Sequence, residues 1–112
     1  MPSFGLVEYA PTIDTPVNKA FVENYKQRFK EVPTKFSAAG YIDVSIIADA
    51  IKRAGAADPA KIRDALEKTD YNGLTGNFRF DKDHQAYNFN VYMTINKKSQ
   101  PIILYTDKIN KP

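Results

Sequence analysis

The stretch FSAAGYIDVSIIADAIKRAG, residues 36–55, has the length and composition of one long helix, yet apolar side chains fall on nearly every side of it. At helical spacing Tyr41, Val44, Ala48 and Ile51 form one stripe, and Ile42, Ile46 and Ala50 form a second roughly opposite. Asp43, Ser45, Asp49, Lys52 and Arg53 are left as a narrow polar seam. A helix dressed in this way must be packed on several sides. A chain of 112 residues makes one domain at most, and on folding buries only about two-thirds of the surface its unfolded form exposes. The helix therefore asks for more neighbours than the rest of the chain readily supplies.

The remaining segments are legible from caps and periods. FGLVEYAP has the β-branched and aromatic content of a short strand, which Pro11 ends because proline has no N–H for a ladder. Thr15 and Pro16 form a helix start, a capping hydroxyl followed by a proline at the first helical position, and Val17, Phe21, Tyr25 and Phe29 recur every four residues after it. That predicts an amphipathic helix from Pro16 to about Lys30, closed by Val32 and Pro33. Gly55 follows the last turn of the long helix, where a left-handed residue commonly ends one. Asp58 and Pro59 then open a third helix with Ile62, Ala65 and Leu66 on its apolar face. Beyond it the period switches to two. Phe78 and Phe80 alternate with Asn77 and Arg79, and DKDH supplies a turn. Phe89, Val91, Met93 and Ile95 share one face of a strand, with Asn88, Asn90, Tyr92 and Thr94 on the other; NKKSQ then turns the chain into PIILY. The order strand, three helices, three-stranded meander suggests α+β, or a piece of a larger α/β protein.

Composition narrows the function classes. The chain is 43% hydrophobic and 26% charged, which is globular rather than disordered. Sixteen Lys and Arg stand against thirteen Asp and Glu, spread along the whole length. Phosphate neutralisation needs cations gathered on one face, and only Lys97, Lys98, Lys108 and Lys111 lean that way, so no nucleic-acid partner is expected. The absence of cysteine excludes disulfide frameworks, thiol catalysis and Cys-rich zinc sites. MPSFGLVEYAPTIDTP lacks a basic stretch followed by an apolar core, so no signal peptide is expected within this chain. No apolar run approaches the roughly 20 residues that span a bilayer.

Catalytic and metal chemistry find little support. The single histidine, His84, lies in DKDHQA beside Asp81 and Asp83, but a calcium loop of the EF-hand type would need glycine and glutamate where Ala86 and Tyr92 stand. An exposed β-turn is the expectation there, with no metal. A second histidine and a cysteine are both missing, which removes the common base and nucleophile pairings. Asp43 and Asp49 are too far apart in helical phase to act together. Gly73 and Gly76 in GLTG are expected in a strand-entry turn, since no lysine or helix follows to make a phosphate loop. No catalytic residue and no cofactor are assigned. Tyr41, in the first turn of the long helix after the small residues of SAAG, admits two readings: a core tyrosine, or a phenol offering a hydrogen bond to a ligand while its ring packs.

Taken in serial order, FVENYKQRF, AAGYIDV, IADAIKRAG, DPAKIRDALEKT and YNGLTGNFRFDKD carry a family resemblance. From Gly5 to about Ile95 the chain resembles the carboxy-terminal third of the solute-binding proteins of branched-chain amino-acid-type ABC transporters, the Leu/Ile/Val-binding-like group. The resemblance implies a type I periplasmic binding fold, two α/β lobes joined by three crossover strands and closing on a small solute. It makes the chain a single partial domain: a crossover strand over 4–11, a helical part over 15–69 and carboxy-terminal strands over 73–105. The missing neighbours of the long helix would then lie in the amino-terminal two-thirds of such a protein.

By the same resemblance Phe36, Ser37, Ala38 and Tyr41 lie near the ligand cleft, and Tyr9, Ala10 and Pro11 form hinge. The implied function is non-enzymatic binding of a small amino acid or related carboxylate. The implied partners are that solute and a membrane permease, and the implied location of a full-length protein is the periplasm or outer cell surface. His84 stands where such proteins commonly have glycine. The upstream loops that grip the ligand's carboxylate and amino group have no counterpart here. An isolated piece of this kind is expected to self-associate, by exchange of its terminal strands. Two other readings remain open at this point: an autonomous α+β dimerising module, and a ligand-sensing domain of a regulator or receptor.

Overall fold

A computed structural model of the chain describes residues 4–86, 89–95 and 98–108. Its elements run β1 (Phe4–Val7), α1 (Pro16–Phe29), α2 (Lys35–Ala54), α3 (Pro59–Glu67), β2 (Asp70–Gly73), β3 (Gly76–Arg79), β4 (Phe89–Ile95) and β5 (Pro101–Lys108). Met1–Ser3, Asn88, Lys97 and Lys111 lie outside the described residues.

All three helices begin where a side-chain oxygen meets a free backbone amide. Thr15 accepts from the Asn18 N–H at 3.2 Å, with Pro16 in the first turn. Asp58 accepts from the Lys61 N–H at 2.9 Å, ahead of Pro59. Thr34 and Ser37 form a reciprocal capping box, so α2 starts one residue earlier than the sequence reading placed it. At the other end Gly55 takes the left-handed conformation, φ 70°, and its N–H closes on the Ile51 carbonyl.

The two apolar stripes of α2 meet different fates. Ala38, Ile46 and Ala50 are buried and Ile42 is half-buried. Tyr41, Val44, Ile47 and Ile51 are exposed, Val44 by 69%. The polar seam joins α2 to α3: Arg53 donates to Asp49 at 2.8 Å and to the Ala65 carbonyl at 2.7 Å. One such guanidinium satisfies a carbonyl at the end of α3 and a carboxylate one turn back.

The strands form two sheets rather than one continuous meander. In the larger, β4 lies between β1 and β5, both antiparallel to it, so the amino-terminal strand is added to the carboxy-terminal hairpin. The smaller is the β2–β3 hairpin, with Asp70 opposite Arg79 and Gly73 opposite Gly76. GLTG is thus the hairpin turn itself, with Gly76 at φ 87° and Leu74 folded inward to 3% exposure. β2 was not expected because Asp-Tyr-Asn-Gly has little β propensity. It is held instead by Arg79 paired with Asp70 at 3.0 Å and by Asn77 donating to Asn72 at 3.1 Å.

The core is small. Tyr9, Ala10 and Ile13 from the segment after β1 pack with Phe21, Ala38 and Leu74. Val7 and Ile103 lean on this cluster from the larger sheet. The opposite face of that sheet places Phe4 and Leu6 in line with Tyr92, Ile102 and Tyr105, all substantially exposed.

Candidate functional site

Where the segment leaving β1 meets the start of α2, a cleft of about 370 Å³ opens. Its floor and walls are Tyr9, Phe36, Ala39, Ile42 and Phe78, and Glu8, Lys35, Asp43 and Thr75 complete the lining. Volume and composition are those of a small-molecule site: mostly apolar, with a few polar groups to fix orientation. Phe36 stands 76% exposed in the cleft, with the Lys35 ammonium 5.1 Å from its ring centre. Phe78 is steadied from behind by an edge-on contact with Phe80, ring centres 5.1 Å apart.

Tyr9 is set by its hydroxyl. The ring meets Phe21 edge-on at 6.3 Å, and the hydroxyl donates to Asn18 Oδ1 at 2.7 Å. Burial, which outweighs the opposing effect of that hydrogen bond, pushes the Tyr9 phenol up to about 12. It is therefore neutral throughout the physiological range. Asn18, itself fully buried, also donates to the Pro11 carbonyl at 3.2 Å and the Ile13 carbonyl at 2.9 Å.

The residues named from the sequence are distributed unevenly around this cleft. Phe36 and Tyr9 line it. Ser37 does not: its hydroxyl is taken up by the Thr34 cap and by Tyr25 Oη at 3.1 Å. Ala38 is buried in the core. Tyr41 lies on the far side of α2, its ring 4.8 Å from Phe21, in a separate groove with Val17, Ala20, Tyr25 and Phe29. Five helical residues separate Phe36 from Tyr41, a rotation of about 140° beyond one full turn, so both cannot face one cleft. Ala10 is buried and Pro11 half-buried beside Tyr9.

Lys35, Ala39, Ile42 and Asp43 were missed as lining residues. Their spacing of four, three and one marks a single helix face that also carries Phe36, and that was the available signal.

DKDHQA is an exposed turn in which Asp81 accepts from the backbone amides of Asp83 and Gln85, each at 2.9 Å. His84 is left-handed at φ 62° and lies 3.4 Å from Glu67. Among the described residues no group of three metal-binding side chains comes together, and no helix is long and apolar enough to cross a membrane.

Comparison with known proteins agrees with this architecture. The chain is 35% identical over 79 residues to a leucine-, isoleucine-, valine-, threonine- and alanine-binding protein of Pseudomonas aeruginosa, an alignment covering 69% of this chain and 21% of that protein. It superimposes on a leucine-binding protein from Thermotoga maritima with a TM-score of 0.79 and 30% identity, over 92% of this chain and 30% of the other. It also shares its fold with a solute-binding protein of an ABC transporter from Rhodopseudomonas palustris, solved with 3,4-dihydroxybenzoic acid. There the TM-score is 0.86 at 19% identity, over 96% of this chain and 31% of that one. The chain thus spans between a fifth and a third of the length of these relatives. Residues 3–100 match the family described as periplasmic binding protein, and the chain belongs to that family.

Proposed function

We propose that this chain is the carboxy-terminal part of an extracytoplasmic solute-binding protein of an ABC transporter, and that its cleft holds a small amino acid or related carboxylate. The observation that carries the reading is the cleft beside Tyr9 and Phe36: an apolar, partly aromatic wall with two carboxylates and one ammonium among its lining residues. In a two-lobed protein this wall supplies one side of the binding site, and the remainder of the fold supplies the other. Phe36, Tyr9, Ile42 and Phe78 shape the apolar side of the pocket, while Ser37, Ala38 and Tyr41 hold α2 in place from behind. The segment 4–11 crosses between lobes, and closure around the solute presents a surface to a membrane permease. The exposed stripe of α2 and the outer face of the larger sheet are where the rest of the fold packs. The leucine- and leucine/isoleucine/valine/threonine/alanine-binding relatives support an aliphatic amino acid, and the dihydroxybenzoate-bound neighbour supports the fold alone.

The test is a thermal-melt series against L-leucine, L-alanine and 3,4-dihydroxybenzoate, run on this chain and on the same chain joined to its upstream coding sequence. A solute bound only by the folded protein, present at about a hundred times its Kd, stabilises it by about 2.7 kcal/mol. The expected outcome is a shift with leucine confined to the longer chain. No shift with any amino acid in the longer chain removes the reading, and an equal shift in the short one shows a site complete within these residues.

A further inference from the structure

We infer that Asn72–Gly73 is a site of spontaneous covalent modification, at which the backbone closes on the Asn72 carboxamide, ammonia leaves, and water reopens the ring to aspartate and isoaspartate. Of the chain's eight asparagines only Asn72 precedes a glycine; the others precede Lys, Tyr, Phe or Val. Closure needs the following backbone nitrogen to reach Cγ, and a residue without Cβ gives it the freest approach. The packing accounts for the glycine. A Cβ at position 73 would lie 2.9 Å from Tyr71 Cε1, so the Tyr71 ring covers the bare residue. Side chains alternate along a strand, so Asn72 points to the opposite face, where it is exposed. On that face Asn77 Nδ2 donates to Asn72 Oδ1 at 3.1 Å and to Asp70 Oδ1 at 2.5 Å.

The bond from Asn77 holds the Asn72 carboxamide toward the partner strand, so ring closure waits on its release. The ladder that must open is a pair of four-residue strands, and a two-stranded hairpin is marginal by itself. The step involves no oxidation or reduction. The Gly73 nitrogen forms a bond to Asn72 Cγ, the Cγ–Nδ2 bond breaks, and Nδ2 leaves as ammonia with the Gly73 amide proton. Water then opens one of the two carbonyl–nitrogen bonds of the succinimide. One opening leaves aspartate on an ordinary backbone. The other leaves isoaspartate, in which the chain runs through Cβ and Cγ and gains a backbone atom. That extra atom breaks the matching of Asn72 with Asn77 and of Gly73 with Gly76. Leu74, next in the chain, is 3% exposed in the core, and Thr75 and Phe78 line the cleft. The isoaspartyl form therefore loosens the wall that the hairpin gives to the cleft. The loss of binding that follows rests on the solute-binding reading, but the modification does not.

The test is ageing of the whole chain in mildly alkaline buffer without solute, so failure to bind leucine leaves the result intact. Peptide mapping with electron-transfer fragmentation follows each asparagine and separates aspartate from isoaspartate. Asn72 is expected to convert first, to both products, and more slowly than in the same chain unfolded by urea. Asn77→Ala is expected to speed the conversion about fivefold, the factor set by a hydrogen bond worth about 1 kcal/mol. In the isolated isoaspartyl form, amide exchange should quicken across residues 70–79 and stay unchanged in the interior of α1. Asn72→Asp separates charge from backbone: it keeps an oxygen for Asn77 and should retain the hairpin's protection. Another asparagine converting first, or Asn72 still intact when the urea-unfolded chain has fully converted, overturns the assignment. An unchanged rate in Asn77→Ala overturns the gating by the hairpin, and an isoaspartyl form that exchanges like the unaltered chain overturns the loosening.

Discussion

Tyr9 is the residue at which burial, hydrogen bonding and the cleft meet, and its protonation makes it testable by pH. Its phenol is pushed up to about 12 in the fold, chiefly by burial, against an ordinary value near 10. A group whose folded pKa is raised leaves stability untouched below its unfolded pKa and lowers it as pH rises between the two values. Tyr9 therefore contributes no pH dependence at neutrality, and stability is lost from this group as pH rises from 10 to about 12. In Tyr9→Phe that component of the alkaline loss should vanish, while stability at pH 7 drops by about 1 kcal/mol for the unpaired Asn18 oxygen. Chemical denaturation at pH 7 and at pH 11 checks both halves; an identical alkaline slope in the two proteins would show that the Tyr9 hydroxyl is not buried as described. Asp14 moves the other way, its carboxyl held below the usual range by the Lys19 ammonium at 2.6 Å, but it is fully exposed and its effect is a surface one.

At the scale of elements, α2 decides what the chain can do alone. Its two stripes have nearly equal hydrophobic content, and nothing in the residues tells which is covered. The structure resolves them by burial: Ile46 is 4% exposed, while Val44 is 69% exposed. Ile46→Ala should cost about 2–5 kcal/mol and Val44→Ala less than about 0.5 in this chain, read as midpoints of thermal or denaturant unfolding. Equal costs would mean that the exposed stripe is covered after all. The caps show how much of the fold is local chemistry. Thr15 with Pro16, Asp58 with Pro59, and Gly55 announce helix ends in the sequence itself, because each satisfies backbone groups within one turn. Thr34 was overlooked since its partner is Ser37 rather than an acidic residue, and Thr34→Ala should destabilise by about 1 kcal/mol. What stayed illegible is non-local. The β2–β3 hairpin depends on side-chain pairs across the turn, and the joining of β1 to β4 links residues some ninety positions apart, which no window of sequence contains. The cleft shares this character: Phe36 was within reach of a family resemblance and Tyr9 was named only as hinge, but Thr75 and Phe78 arrive there only because the hairpin folds over α2.

The whole molecule exposes more surface than its mass warrants. A compact monomer of 12.7 kDa presents about 6,200 Å² to water, and this chain presents 8129 Å². Its radius of gyration of 15.9 Å compares with about 13 Å for a compact chain of similar length, and its shortest dimension is 20 Å. Two apolar faces account for the character of that surface. One is Tyr41, Val44, Ile47 and Ile51 on α2; the other is Phe4, Leu6, Tyr92, Ile102 and Tyr105 on the larger sheet, where the two tyrosine rings stand 5.6 Å apart. The excess, about 1,900 Å², is of the size that a standard protein interface buries in total, near 1,600 Å². Left to itself in water, the chain is therefore expected to associate through these faces. β1 is suited to exchange between copies, since it is an edge strand of four residues joined to the core through the bend at Glu8. Sedimentation velocity over a concentration series should show a dimer or larger species growing with concentration. Leu6→Glu combined with Tyr105→Glu should return it toward monomer, because like charges placed opposite one another through β4 disfavour a shared apolar face. Ile47→Glu separates the two surfaces: if it alone abolishes association, α2 rather than the sheet is the contact. A monomer at every concentration that stays in solution would mean that neither face is an interface between copies, and the expected association would be overturned.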